Sequence, residues 1–507
     1  MERNEEQNGR MQMEFLDRTI PQELTAEINL PDYRSEISRL LWVHPTFLPP
    51  SRFIGGGKAD FSGACRYDIL YMGPDGAPYS ATEEGSYAFS VPLELPNGFD
   101  AAGIEITAEP VVDAVISRVT GPRKLSIRCR MRARVCGYGE KEMGVHLKGE
   151  GDEGERILRL CTPVEGGRVL TGGNETLELS EVVENERGDL RLVATHGEVF
   201  LPEVSAASDA IRCRGEAVIT LLYCMEGEEA LPLTVVRRIP FEKEIPLEGV
   251  TPDCHARATG AISEIRAGVE EEKTLLDVCV ALSAEAQTGE DFALCEDLFL
   301  PGKVAVPTYS EERFWRAGLC GNRNFSVSGE VNPVEHGAAA DAVIVLAVAD
   351  ADVKEKGSAE GRVTPSGNLN CHVLYRHGGE YGVMEAVLPW RTVMEGCGDD
   401  MQLSLSVPIV RVTPVRDVWR VDAEIQLSMR GICRNSGRVL SAMEFQPAAP
   451  AARSDVEICY PARGETLWKV GKRYGISPDD LAAANGLSAE DPNGAASLAG
   501  VKYLLIP

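Results

Sequence analysis

The 507-residue sequence has little of what catalysis, metal binding or membrane insertion usually requires. It has seven histidines, and no two stand at a metal-ligand spacing. His372 and His377 come closest, but they flank the end of an expected strand, where solvent exposure accounts for them. There is no His-Glu-x-x-His and no Gly-x-Ser-x-Gly. The run Gly55-Gly-Gly-Lys58 is followed by Ala59, so it lacks the hydroxyl residue and spacing of a phosphate loop and reads as a glycine turn. No enzymatic activity, cofactor or metal is therefore expected. Positive charge is also scarce: 51 Lys and Arg against 78 Asp and Glu give a net charge of −27, the opposite of a nucleic-acid footprint. The most apolar run, Ala342 to Ala349, is too short to span a bilayer and is bounded by Asp341 and Asp350. The N-terminus, Met1-Glu2-Arg3-Asn4-Glu5-Glu6, lacks the apolar core of a signal peptide. Fourteen cysteines are present without a single Cys-x-x-Cys. Several, such as Cys65, Cys129 and Cys371, alternate with apolar residues and read as small buried hydrophobes in a reducing, cytoplasmic setting.

What the sequence does contain is a repeat. Gly63 to Tyr71, Gly215 to Tyr223 and Gly367 to Tyr375 each place a glycine eight residues before a tyrosine, and the tyrosines recur at an interval of 152 residues. In each segment the alternate positions ending on the tyrosine are apolar, which predicts a strand with one buried face. A glycine-containing turn follows, then a second extended run with an aromatic at Phe89, Phe241 or Trp390. Alternating strands also close the repeats, at Leu125 to Val135 and Val421 to Met429, with a more continuously apolar version at Leu275 to Leu282. The pattern predicts a mainly β protein with three tandem β-sandwich or barrel-like domains at 14–138, 172–288 and 322–437. A Gly/Glu-rich connector covers 149–156, and a Pro/Ala linker covers 444–456.

Residues 457–507 differ in kind. Thr466 can cap a helix with apolar positions Leu467, Val470 and Tyr474, and Gly475 stops it. Ser477, Pro478 and Asp480 start a second helix that Gly486 closes. The predicted order is βααβ. The stretches Gly464-Glu-Thr-Leu-Trp468, Lys472-Arg-Tyr-Gly475, Asp480-Leu481, Ala484-Asn485 and Leu505-Ile-Pro507 resemble a LysM domain, a family known for binding N-acetylglucosamine glycans such as peptidoglycan. The resemblance implies a ligand groove at Gly464, Glu465, Thr466, Leu467, Asn485, Gly486 and Leu487. Glu465 stands where Asp is usual, and Val501 follows Gly500 where a polar residue is typical, so the groove has fewer polar groups for sugar hydroxyls. Trp468, one position off the buried stripe, is expected to be partly exposed beside the groove, either as a binding hot spot or as cover for the module's own core.

The repeats upstream of this module resemble a domain family of unknown function from endospore-forming bacteria. The resemblance is carried by Glu175 to Val183 leading into the Gly215 strand, with looser versions at Leu24 to Asp32 and Phe325 to Val334. Three repeats followed by one LysM domain resemble the SipL-type spore-coat morphogenetic proteins. This implies a scaffold in the mother-cell cytoplasm at the forespore surface, with the LysM domain docking onto the sporulation ATPase that coats the forespore and linking it to other coat proteins. The alternative is a binder of peptidoglycan glycan in wall or cortex. One further surface is a candidate: Arg128, Arg130, Arg132 and Arg134 form a basic ladder on one strand. It reads either as a docking strand for an acidic partner or another copy of the chain, or as cross-strand pairing with acids. The module holds five basic and six acidic residues, so nearly all the acidity lies upstream of it.

Overall fold

In the computed structural model the described residues are 10–148, 157–184, 190–225, 232–270, 272–447, 457–487, 498 and 500–507. The connector at 149–156, most of the Pro/Ala linker and the run 488–497 lie outside them. The protein is mainly β, with two short helices near its C-terminus. The first unit comprises β1 (Arg10–Asn29), β2 (Arg39–Phe47), β3 (Ser51–Gly55), β4 (Lys58–Met72), β5 (Pro78–Pro92), β6 (Glu105–Gly121), β7 (Lys124–Glu142) and β8 (His146–Lys148). The second comprises β9 (Leu158–Glu184), β10 (Leu190–Ala207), β11 (Ala210–Met225), β12 (Leu233–Pro246), β13 (His255–Glu270) and β14 (Lys273–Phe299). The third comprises β15 (Lys303–Val331), β16 (Val343–Ala359), β17 (Arg362–His377), β18 (Glu380–Arg391), β19 (Met394–Glu395), β20 (Asp400–Val415) and β21 (Val418–Pro447). The terminal module contains β22 (Glu457–Cys459), α1 (Leu467–Tyr474), α2 (Pro478–Ala484) and β23 (Leu504–Ile506).

Each unit is a sandwich of two sheets whose strands pair antiparallel in the same order. The first long strand pairs with the last long one, and that with the one before it, giving β1-β7-β6, β9-β14-β13 and β15-β21-β20, and the short β8 adds in parallel to β21 of the third unit. The other sheet is a meander: β10-β11-β12, β16-β17-β18 and, in the first unit, β4 between β5 on one side and β2 and β3 on the other. Pro49 and Pro50 separate β2 from β3 where β10 runs unbroken, because proline cannot donate to the ladder.

The segments that signalled the repeat are the middle strands β4, β11 and β17. Their inward faces, such as Cys65, Tyr67 and Tyr71, pack against the alternate residues of the closing strands, such as Ile127 and Cys129. Cys65, Cys129 and Cys371 are fully buried, as the alternation predicts. The glycine of each segment lies opposite an aromatic of the next strand: Gly63 opposite Tyr87, Gly215 opposite Phe241 and Gly367 opposite Trp390. Phe89, the aromatic that marks this run in the sequence, lies on β5 two residues further along, opposite Phe61. At Gly215 a Cβ would come within 2.5 Å of the Phe200 carbonyl oxygen and 2.9 Å of the Phe241 ring, so the position has no room for a side chain.

The strands β9, β14, β15 and β21 run for 27 to 30 residues, and the expected boundaries at 172, 288, 322 and 437 fall inside them. One half of each strand builds its own sandwich; the other half passes a bulge and packs against the neighbouring units. Cys136, Tyr138, Val169, Trp315 and Ile432, drawn from all three units, form one cluster there. The closing strands reach this junction in register. After six alternately buried positions in each, the next residue is Cys136, Glu285 or Arg430. Their ladder neighbours are Asp17 and Thr107, Thr171 and Arg257, and Cys320 and Gln402. Equivalent positions of the three units therefore meet in one buried polar layer. Arg430 donates to Glu285 at 3.0 Å, to Thr107 at 3.2 Å and to Gln402, whose amide nitrogen donates to the Cys136 sulfur at 3.1 Å. Arg257 donates to both Glu285 and Glu109.

One cysteine pair departs from the expectation of free thiols. Cys397 and Cys433, with Cα atoms 6.4 Å apart, form a disulfide between the segment before β20 and the neighbouring strand β21. Their 36-residue separation leaves no short-spacing motif in the sequence.

Two predictions follow from this packing. Gly215→Ala should lower the urea midpoint of unfolding by the equivalent of about 1–3 kcal/mol, because the methyl group meets backbone. The second concerns Glu285. Burial raises its pKa, but Arg257 and then Arg430 outweigh this and hold it below the ordinary value of 4.5. Its contribution to stability is thus complete above that value and is lost as pH falls through the lower folded-state value. Arg430→Met should destabilise by roughly 3–5 kcal/mol at neutral pH, and acid titration by circular dichroism should show a weaker dependence below the ordinary glutamate range.

Candidate functional site

The terminal module is built as its sequence predicts. Thr466 caps α1 by accepting from the Lys469 N–H at 3.3 Å, and Gly475 closes the helix in the left-handed conformation at φ 71°. Ser477 caps α2 by accepting from the Asp480 N–H at 3.0 Å. Leu467, Val470, Leu481 and Leu504 form the core with Cys459. β22 and β23 pair antiparallel, with Ile458 directly opposite Leu505.

The residues expected to line the groove divide into two groups. Gly464 at φ 80° and Gly486 at φ 63° are exposed turns with open space above them, and Thr466 and Leu487 are partly exposed. The polar side chains that a sugar would need are committed within the module. Glu465 is buried, accepts from the Ala462 N–H at 2.8 Å and pairs with Arg473. Asn485 donates to the carbonyls of Leu481 and Leu505, both at 2.8 Å, and accepts from the Leu505 N–H at 2.6 Å, which ties α2 to β23. Leu467 belongs to the core.

Trp468 corrects the sequence expectation. It is only 3% exposed, and it covers neither the groove nor the module's own core. Its indole N–H donates to an Asp297 carboxylate oxygen at 2.9 Å, and its ring meets Phe299 edge-on at 6.1 Å. Lys472, one turn later, donates to both Asp297 oxygens at 2.5 and 2.7 Å. The position off the buried stripe thus faces β14 of the second sandwich and fastens the module to it. No sequence signal marked Asp297.

The basic ladder lies on β7, which is flanked by β1 and β6, so its backbone is not an open edge. Arg132 pairs with Asp113 at 3.0 Å and Arg134 with Asp17 at 2.8 Å, the cross-strand pairing that was one of the two readings. Arg134 also reaches Asp400 of the third unit at 2.8 Å. Arg128 and Arg130 point to solvent.

Between the three sandwiches lies a cavity of about 1690 Å³ whose lining includes Arg52, Glu109, Arg257, Glu198 and Asp350. Among the described residues, two side-chain clusters have the composition of a cation site. Glu14, Asp17 and Asp400 are already bound by Arg434. His44, His196 and Glu198 form the other, although the histidines stand 152 residues apart and so show no ligand spacing in sequence. His372 and His377 face Glu385 and Asp341 on the third unit, and Gly56 and Gly57 form the left-handed turn between β3 and β4. Among the described residues, no helix is long and apolar enough to cross a membrane.

Asp297→Asn should weaken the fastening of the module. Because a hydrogen bond to a charged group contributes about 1.5–3 kcal/mol, amide hydrogen exchange in α1 and around Phe299 should accelerate by roughly tenfold or more. Exchange in β10 to β12 should be unchanged.

No curated protein matches the chain. Residues 462–493 match the LysM domain family, whose members suggest either glycan binding or a protein-adaptor role.

Proposed function

We propose that the chain is a non-enzymatic adaptor of the spore coat, in which the LysM domain docks onto the ATPase that coats the forespore and the sandwich array carries surfaces for other coat proteins. Its place of action is the mother-cell cytoplasm at the forespore surface. The observation that carries this reading is the exposed apolar side chains of β22 and β23 and of the residues that flank them, Tyr460 after β22 and Tyr503 before β23. Ile458, Tyr460, Tyr503 and Leu505 stand 46%, 74%, 55% and 41% exposed on a module that offers few free polar side chains at its glycan groove. Large apolar and aromatic side chains exposed together suit burial against a protein surface. Sugar hydroxyls would instead require hydrogen-bonding partners when desolvated, and Glu465 and Asn485 are already engaged. The near-neutral charge of the module also suits docking by shape and apolar contact, whereas the acidic array favours solubility before assembly.

Binding of the full-length chain to the purified ATPase, with and without Tyr460→Glu and Leu505→Glu together, tests this reading. The wild-type chain should bind, and the double variant should bind at least about tenfold more weakly, a difference of ~1.4 kcal/mol, with an unchanged circular dichroism spectrum. Co-sedimentation with purified peptidoglycan in the absence of any protein partner would favour the glycan reading, and release of fragments from labelled peptidoglycan would overturn the non-enzymatic one.

A further inference from the structure

The interval that relates the repeats also relates His44 on β2 to His196 on β10. Each sits opposite the middle strand of its sheet, His44 across from Asp68 and His196 across from Thr220. The arrangement of the units brings the two rings together, with centroids 5.0 Å apart and planes at 88°. They are 4% and 9% exposed, and the Trp42 ring stands edge-on to both. The third unit has Val348 at the corresponding place, across from His372. Glu198, two residues along β10 from His196, supplies a carboxylate instead.

The nitrogens are aimed in a definite way. His44 Nε2 lies 3.7 Å from a Glu198 carboxylate oxygen, and His196 Nε2 lies 3.8 Å from the same oxygen. Both separations exceed the 2.7–3.2 Å range of a hydrogen bond. The opposite nitrogens face carboxylates: His44 Nδ1 is 3.4 Å from Asp350, and His196 Nδ1 is 3.7 Å from Asp68. Asp68 is itself held by Arg66 at 2.7 Å and Thr82 at 3.3 Å. His196 Nδ1 is buried without a hydrogen-bond partner. Two imidazoles that turn one nitrogen toward a shared point and the other toward a carboxylate have the disposition of metal ligands with their orienting acids. With zinc–ligand bonds of about 2.0–2.1 Å, two donors on a tetrahedral ion stand ~3.3 Å apart; the two His–Glu198 separations of 3.7 and 3.8 Å are near this, and all three donors lie within 4.8 Å of one another.

We propose that His44 and His196, through Nε2, and Glu198, through a carboxylate oxygen, bind a divalent ion of the zinc class, with Asp350 and Asp68 orienting the rings. Two imidazoles and one carboxylate suit zinc better than magnesium or calcium, which prefer all-oxygen sets. His44 and Glu198 both line the central cavity, so the fourth coordination position opens toward it. The ion would join the first unit to the second, while the orienting Asp350 comes from the third. It rests on the repeat array alone and is independent of what the LysM domain binds.

The test uses the full-length chain purified without a metal-affinity step, exposed to zinc alone, desalted and assayed for metal content. One zinc per chain is expected, with a rise in melting temperature that a chelator reverses. Cobalt in its place should give visible ligand-field absorption without a thiolate charge-transfer band. His196→Gln should abolish retention, and Asp350→Asn should weaken affinity by about 10- to 100-fold. Glu198→Gln should lose the zinc-dependent rise in melting temperature, measured against its own metal-free value. No retained zinc in the wild type, undiminished retention in Glu198→Gln, or a thiolate band from the free cysteines would overturn the assignment. Should His196→Gln fail to fold, Glu198→Gln and the wild-type cobalt spectrum remain decisive.

Discussion

A single carboxylate, Glu285, holds the centre of the array. It lies fully inside the protein, where an unpaired charge would be prohibitively costly, and it is compensated by Arg257 from its own unit and Arg430 from the third. Arg430 also reaches Thr107 of the first unit, so one guanidinium reads the position of all three sandwiches. The apolar cluster around Trp315 and Tyr138 supplies the burial, but apolar contact is non-directional and would tolerate sliding. The directional bonds at Glu285 specify the register in which the long strands meet. The cavity beside this layer is bounded by all three units, with β2 and β6 of the first, β13 of the second and β16 and β20 of the third among its walls.

Period-2 alternation made the strands legible, as did the glycine and tyrosine recurring at a fixed interval. Both report local facts about one face of one sheet. Whether Tyr87 or Phe89 lies opposite Gly63 is not determined by parity, since both are on the same face of β5; the turn between the strands sets it. Strand ends were also hidden. The outer halves of β9, β14, β15 and β21 keep the strand pattern while changing the surface they pack against, so nothing in composition marks the change.

The site was legible in proportion to how local it is. Helix caps at Thr466 and Ser477 rest on neighbours three residues away and could be read directly. The commitment of Asn485 to β23 spans 20 residues, and that of Trp468 to Asp297 spans 171, so neither leaves a pattern in the sequence. The His44 and His196 pair belongs to the same class. Each histidine has a plain surrounding, and only the symmetry of the units makes them neighbours.

The fastening of α1 to β14 changes the mechanical character of the molecule. A module free on a Pro/Ala tether would sample a sphere of directions, and tether length would set its reach. With Trp468 and Lys472 clamped on Asp297, the exposed apolar side chains of β22 and β23 have one bearing relative to the three sandwiches. The chain then behaves as a bracket. Anything gripped by those side chains is held at a set angle to the array, and successive copies along a regular surface would inherit that surface's spacing and orientation.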